Sequence, residues 1–475
     1  MYEFLNNFFQ GLSSIVWGPV AWALLLLAGI ILSFKVNWLQ VTKFGHYMNH
    51  TIIDVFRKPE NRKSGKPTGD GDITPWQAVS TALSATLGVG TIAGTATAIG
   101  FGGPGAIFWM WAVGFFGIAT KFSEVTLAVH FRGKNQKGEM LSGPFAYIEK
   151  GLGIKWLAII FAIFGTLASF GIGNMVQSNS AATALETVFG WDRVIVGIIA
   201  SILIGVVVVG GIKRIAKVVD KVIPTMAATV IISATIIILL NITSVPYAFG
   251  LIFRSAFSAQ SLGGGVAGVA VFYAVRFGLM RGVFSNEAGL GSGPIAYAAA
   301  KTDDPVKQGF WAAFEVFLDT HVLCTLIALV ILINVPLEAI APGTSPYLTG
   351  PALVIESYAR SFLGVNIGSW LMAIVIAVFG FSTVLGWSYY GEKCFEYLFG
   401  LKYVIIFRIL IIPFIFFGAI GGLALVWSIA DNFNAFMAFP NILAVLLLSG
   451  TVASLTKRYF KGEKYDPEKE LKTKQ

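Results

Sequence analysis

Long apolar runs alternate with short charged connections along nearly the whole chain. Val20 to Phe34 and Val222 to Leu240 contain no charged residue, and each approaches the ~20 apolar residues that carry a helix across a hydrocarbon core. Reading such runs against punctuation by Gly, Pro and charge predicts helices near 15–34, 76–100, 104–131, 155–186, 193–212, 216–241, 263–284, 308–334, 365–391, 402–427 and 433–456. Hydrocarbon offers no partner to backbone N–H and C=O groups, so a span of this kind closes its own hydrogen bonds as a helix. The pattern therefore predicts an all-α integral membrane protein with about eleven transmembrane helices. Met1 to Gly18 lacks the positive start of a secretory signal peptide, so the first apolar helix is expected to stay in the protein.

Composition agrees with the pattern. Of 475 residues, 56% are hydrophobic and 12% charged, against about a quarter charged in soluble proteins, which leaves no length for a separate soluble domain. Basic residues then orient the spans, because cytoplasmic loops near the membrane carry the excess Lys and Arg. With Met1 outside, the segments 35–75, 132–155, 213–221, 276–307, 393–408 and 457–474 face inward and hold thirty of the 34 Lys and Arg residues. The outward connections hold Arg193, Arg254 and Arg360, and Lys121 lies inside a span. The expected placement is a prokaryotic cell membrane, N-terminus outside and C-terminus in the cytoplasm. The net charge of +9 is then membrane orientation, and no nucleic-acid partner is expected.

Other candidate chemistry is thin. Cys324 and Cys394 offer neither a disulfide framework nor metal-ligand spacing. Residues 37–58, with His46 and His50 four apart, read as an interfacial amphipathic stretch, and the tail from Lys457 to Gln475 as solvated and without fixed structure. Gly69-Asp70-Gly71-Asp72 superficially fits an intramembrane protease motif, but it lies in a polar loop with no second motif to pair with it.

Interruptions inside the spans are more informative, since freed backbone groups are tolerated at membrane depth only beside a cavity or a partner. Thr74, Pro75 and Gln77 predict a capping box with proline at the first helical position. Gly88 and Gly90 then fall near mid-span between Thr86 and Thr91 and predict an unwound turn; close packing through small residues is the plainer alternative. The span at 263–284 opens on Gly263-Gly264-Gly265 and Gly268, continues through Phe272 and Tyr273, and closes on Ser285-Asn286-Glu287-Ala288-Gly289. Counted from 76, it is the sixth span, so an interrupted helix begins each half of a five-plus-five arrangement. That is the pattern of inverted repeats in secondary transporters. The units expected are 1–75 (an extra helix and a cytoplasmic loop), 76–241 and 263–456 (the two repeats) and 457–475 (the tail). A half-helix starting at Gly88 presents free N–H groups to a carboxylate, and carbonyls released upstream suit a cation.

Polar residues elsewhere fit such a site. Asn174, Gln177 and Ser178 fall at i, i+3 and i+4 on one helix face, where they serve a site or link helices. Ser382 and Thr383 offer adjacent hydroxyls to a hard cation or to their own helix carbonyls, and Trp387 can wall a small pocket. Ionisable residues in spans are costly and call for a role. Lys121 and Glu124 are expected to neutralise each other, Glu287 to pair with Arg281, and Asp319 to serve as a structural acceptor or a proton site.

The segment Gln77 to Gly94 continuing to Ala106, Arg281 to Gly289 with its Ser-Asn-Glu-Ala-Gly block, Phe317 to Thr320, and Gly386 to Glu392 resemble the alanine or glycine:cation symporter family. The resemblance implies a leucine-transporter-like core preceded by one extra helix, no catalysis, and sodium-driven uptake of alanine, in either enantiomer, and of glycine. It implies a substrate site from Thr86, Gly88, Gly90, Thr91, Asn174, Gln177, Phe272, Tyr273 and Trp387. It implies a sodium site from Ser84, Leu87, Ser382 and Thr383, and no cofactor beyond that ion. Many relatives resemble Gly-x-Gly-Asn-Ile-Ala-Gly where this chain has Thr91, which leaves a second ion site without its amide. Proton coupling and a small-solute channel are the alternatives, and the expected partners are a small neutral amino acid, Na+ or H+, and membrane lipid.

Overall fold

The computed structural model describes residues 2–57, 69–257, 267–340, 348–421 and 423–467. Apart from a two-residue hairpin, β1 (Gly133–Lys134) against β2 (Met140–Leu141), the described elements are helical. Helices α1 (Tyr2–Val16) and α2 (Pro19–Lys35) form a bent pair. The stretch after α2 forms three short helices, Leu39–Thr42, Phe44–His50 and Ile52–Val55. In the middle one the His46 and His50 rings stack at 4.1 Å.

The first half then begins with α3 (Pro75–Thr86) and α4 (Val89–Gly102). Their start is the predicted capping box: Thr74 Oγ1 accepts from Gln77 N at 3.2 Å, and Gln77 Oε1 accepts from Thr74 N at 3.2 Å. There follow α5 (Ala106–His130), α6 (Lys155–Phe189), α7 (Arg193–Val208) and α8 (Gly211–Leu240). The second half comprises α9 (Ala267–Asn286), α10 (Gly293–Tyr297), α11 (Pro305–Asn334), α12 (Gly364–Phe399), α13 (Val404–Ile420) and α14 (Leu423–Leu447). Members with the same rank in each half pack together: α4 on α9, α5 on α11, α6 on α12 and α7 on α13. That is the five-plus-five core of a leucine-transporter-like fold, with α1 and α2 added in front.

By length and composition, eight described helices can cross a membrane, or nine counting the α1–α2 pair. The eleven expected segments each overlap a helix; α7 is a shorter apolar helix of 16 residues. The tail also differs from expectation. Lys457 to Phe460 complete a final helix, α15 (Ser449–Phe460), whose Tyr459 packs edge-on to Phe310 at 5.3 Å.

The second interruption lies elsewhere than expected. Helix α9 runs unbroken through Gly268, Phe272, Tyr273 and on to Asn286, while Gly263 to Gly265 lie outside the described residues. Backbone reversal comes at Glu287 (φ 57°), Gly289 (φ 93°) and Gly291 (φ 80°), before α10. A residue other than glycine in the left-handed region is strained and persists only where its surroundings hold it. Here Glu287 is buried, and its carboxylate accepts from Ser292 Oγ at 2.6 Å.

Candidate functional site

The first interruption is where the glycines place it. Helix α3 ends at Thr86, Leu87 leaves helical geometry (ψ 72°), and Gly88 (φ −136°, ψ −148°) re-aims the chain into α4. Gly88 N–H bonds Thr86 O at 2.8 Å, so Ser84 O loses the donor that a continuous helix would supply. Close approach explains the glycines better than backbone freedom does. A Cβ on Gly88 would collide with Thr383 Oγ1 on α12, and one on Gly90 would lie 3.1 Å from the Phe284 ring on α9. At the start of α4, Val89 N–H donates to Gln177 Oε1 at 3.4 Å.

Helix α6 supplies the amides through a π-helical turn, Ser169–Met175. Asn174 donates its amide to Ser169 O, and Gln177 donates to Ile172 O at 3.0 Å, each five residues back. Asn174 Oδ1 and Ser178 Oγ are buried without a partner among the described residues. Trp387 presses on Gly173, beside Asn174, closely enough that no side chain fits there.

On α12 the two adjacent hydroxyls differ. Ser382 donates to Phe379 O at 2.9 Å, the back-bond to its own helix, whereas Thr383 Oγ1 is buried, unpartnered and aimed at Gly88. Ser84, Leu87, Thr383 and Gly88 thus meet across α3, α4 and α12. Ser84 Oγ is itself bonded to Thr81 O at 2.7 Å, and any role in holding an ion falls to its freed carbonyl.

Phe272 and Tyr273 do not join this group. They are 43% and 41% exposed, Phe272 packs on Trp22 of α2 at 5.3 Å, and Tyr273 lies against Gly102 at the far end of α4. That end is roughly 20 Å along the helix axis from Val89, at 1.5 Å per residue. The α9 residues at the break are Phe284, Ser285 and Asn286, about three helical turns beyond Phe272 and Tyr273.

Ionisable residues around the two breaks are also arranged differently from the sequence expectation. Lys121 forms no direct ion pair with Glu124: it donates to Asn286 O at 2.7 Å and pairs with Glu315 at 3.4 Å and Glu287 at 4.0 Å. Glu124 instead accepts from Gly289 N at 3.1 Å and from the Asn441 amide of α14. Arg281 pairs with Asp431 at 3.3 Å, not with Glu287. Glu315 also accepts from Thr86 Oγ1 at 2.9 Å and Tyr297 Oη at 2.7 Å, so one buried carboxylate on α11 touches the first break and the end of α10, and reaches the second break through Lys121.

Asp319, one turn on, is fully buried and takes hydroxyls from three elements: Thr91 at 2.6 Å, Ser285 at 2.8 Å and Thr320 at 2.9 Å. Thr91 Oγ1 also lies 2.9 Å from Thr86 O. Sequence reasoning saw Asp319 but not Glu315. Their i, i+4 spacing in an apolar span was the available signal.

This geometry can be set beside known proteins. The family model described as the sodium:alanine symporter family matches residues 2–473. The chain belongs to that family. It is 46% identical over 451 residues to the sodium/alanine symporter AgcS of Methanococcus maripaludis, covering 94% of this chain and 95% of that one. It is 38% identical over 469 residues to the probable sodium/glutamine symporter GlnT of Bacillus subtilis, covering 98% and 92%. Among solved structures, a substrate-bound, outward-open Na+-coupled sialic acid symporter shares the fold at TM-score 0.50 and 13% identity, covering 93% of this chain and 86% of that one. A member of the sodium:alanine symporter family is a multi-pass membrane transporter coupling an amino acid to sodium, not an enzyme. The Gly69–Asp72 segment is accordingly structural: Asp72 accepts from Met140 N at 2.8 Å and Asp70 pairs with Lys134 at 3.1 Å.

Proposed function

We propose that this symporter carries alanine, in either enantiomer, and glycine inward with sodium, the N-terminus lying outside and the C-terminus in the cytoplasm. The observation that carries the reading is the break at Gly88 with an unpartnered Thr383 hydroxyl against it. The amino acid's carboxylate is assigned to the start of α4, where N–H groups and the helix dipole favour negative charge. Gly88, Gly90, Thr86 and Thr91 form that end, with Asn174, Gln177 and Trp387 around the rest. Sodium is assigned to the carbonyls of Ser84 and Leu87 with Ser382 and Thr383, an all-oxygen set suited to a hard cation.

Every one of these residues is buried, so solute reaches the site only when the two halves move against each other. Segments 76–241 and 263–456 are proposed as the moving repeats. Trp387 against Gly173 and Phe284 against Gly90 limit volume, so alanine and glycine are expected to inhibit labelled alanine uptake fully at concentrations where leucine has little effect. Equal inhibition by leucine would remove the size argument, a real contest in a family that includes a protein described as a probable glutamine carrier.

A second reading, coupling to a proton, is favoured by Asp319, whose carboxylate meets three hydroxyls and, among the described residues, no basic side chain. Uptake into proteoliposomes with sodium, lithium and pH varied independently separates the two. Accumulation against a gradient that collapses with a sodium ionophore supports the symport reading; flux that only equilibrates would indicate a channel. Thr383→Ala is expected to raise half-saturating sodium by about tenfold or more, the scale on which metal sites respond to a lost contact. Unchanged sodium dependence in that variant would move the ion elsewhere.

A further inference from the structure

Away from the breaks, a cavity of about 550 Å³ opens at the basic end of the spans, between the α7–α8 turn, the ends of α12 and α13, and the β1–β2 hairpin. Of its carboxylates, Glu392 is held by Arg408 through two hydrogen bonds at 2.7 and 2.8 Å, while Glu139 accepts from the Asn135 amide at 3.2 Å and lies 4.0 Å from Lys393, whose nearer partner is Glu396 at 2.8 Å. Three further lysines line it, Lys137, Lys213 and Lys402, and none has an acidic partner among the described residues.

Two more features point the same way. Gly211, Ile212 and Lys213 on the wall are the first residues of α8, a 30-residue helix with no side-chain cap, so its positive end faces the cavity. Tyr389 is 1% exposed, lines the cavity, and its hydroxyl makes no hydrogen bond among the described residues. Ile405, on the wall, is 50% exposed, and Val209, just before the α7–α8 turn, 53%.

We propose that this cavity binds the phosphate headgroup of an anionic phospholipid, with Lys137, Lys213 and Lys402, the start of α8 and the Tyr389 hydroxyl as its ligands. Acyl chains would run along the exposed faces of α7 and α13. Lysine-rich pockets between spans at the membrane boundary recognise such headgroups by charge. A zwitterionic lipid brings its own cation and gains less. The lipid would tie the end of α12, the helix that carries Thr383 and Trp387, to the α7–α8 turn.

The test is native mass spectrometry of the full-length protein, delipidated and titrated with phosphatidylglycerol or phosphatidylcholine, with uptake in vesicles of each lipid as a second readout. Wild type is expected to retain one phosphatidylglycerol, and the triple variant Lys137→Ala, Lys213→Ala, Lys402→Ala to lose retention about tenfold. The control Lys457→Ala, Lys461→Ala, Lys464→Ala should behave as wild type. Tyr389→Phe and Lys402→Glu, read by the salt concentration that strips the lipid, decide the matter if the triple variant misfolds. Equal retention by wild type and cavity variants, equal retention of phosphatidylcholine, or an equal loss in the control overturns the proposal. Displacement of the lipid by millimolar inorganic phosphate would overturn the lipid assignment and leave a free anion in its place.

Discussion

Gly88→Ala is expected to abolish sodium-driven alanine uptake while the protein still elutes as a folded species. The added methyl would collide with Thr383 Oγ1, and the backbone there (φ −136°, ψ −148°) belongs to the turn between α3 and α4. Either Thr383 rotates away or α12 retreats from the break. Both displace the free hydroxyl from the released Ser84 carbonyl by a distance on the order of 1 Å, which costs about a hundredfold where geometry sets the rate. Uptake of labelled alanine in proteoliposomes measures it, with size-exclusion elution as the folding control. Uptake within about threefold of wild type would show that the contact between Gly88 and Thr383 is not part of the transporting site. Gly45→Ala, where a methyl meets nothing within 4 Å, is the matched neutral change.

Lys121→Met should have the largest effect on stability. Lys121 is fully buried and serves Glu315, Glu287 and Asn286 O, so its removal leaves two carboxylates inside the helix bundle without their base. Breaking a buried pair in this way costs ~3 to 5 kcal/mol, mostly through the uncompensated charge left behind, whereas removing both partners can be nearly neutral. The single variant should therefore melt well below wild type in detergent, and Lys121→Met combined with Glu315→Gln should recover part of the loss. A double variant no better than the single would mean that Lys121 acts through packing or through Asn286 O. Because Glu315 also receives Thr86 and Tyr297, the double variant should still transport poorly: it unties the first break from the second.

Part of the site was legible because its causes are local. The start at Thr74 follows from three neighbouring residues, and the turn at Gly88 from two glycines in a span too short of side chains to do anything else well. Thr383 was legible as a hydroxyl, but its being free while Ser382 is bonded to Phe379 depends on how α12 sits against α3. Phe272 and Tyr273 were misplaced because glycine content was read as an interruption. In the folded protein the turn forms three residues after Phe284, where Glu287, Gly289 and Gly291 take positive φ.

The sequence by itself determined the membrane class, the order of the apolar helices and the first break, since hydrophobic length, helix caps and glycine geometry are properties of contiguous residues. Only the tertiary structure decided which charges meet. Lys121 finds Glu315 and Glu287 rather than Glu124, Arg281 finds Asp431, and Asp319 collects Thr91 and Ser285 from helices more than thirty residues away in the chain. Electrostatic pairing at membrane depth is set by distance through space, and a single chain read end to end carries no record of it.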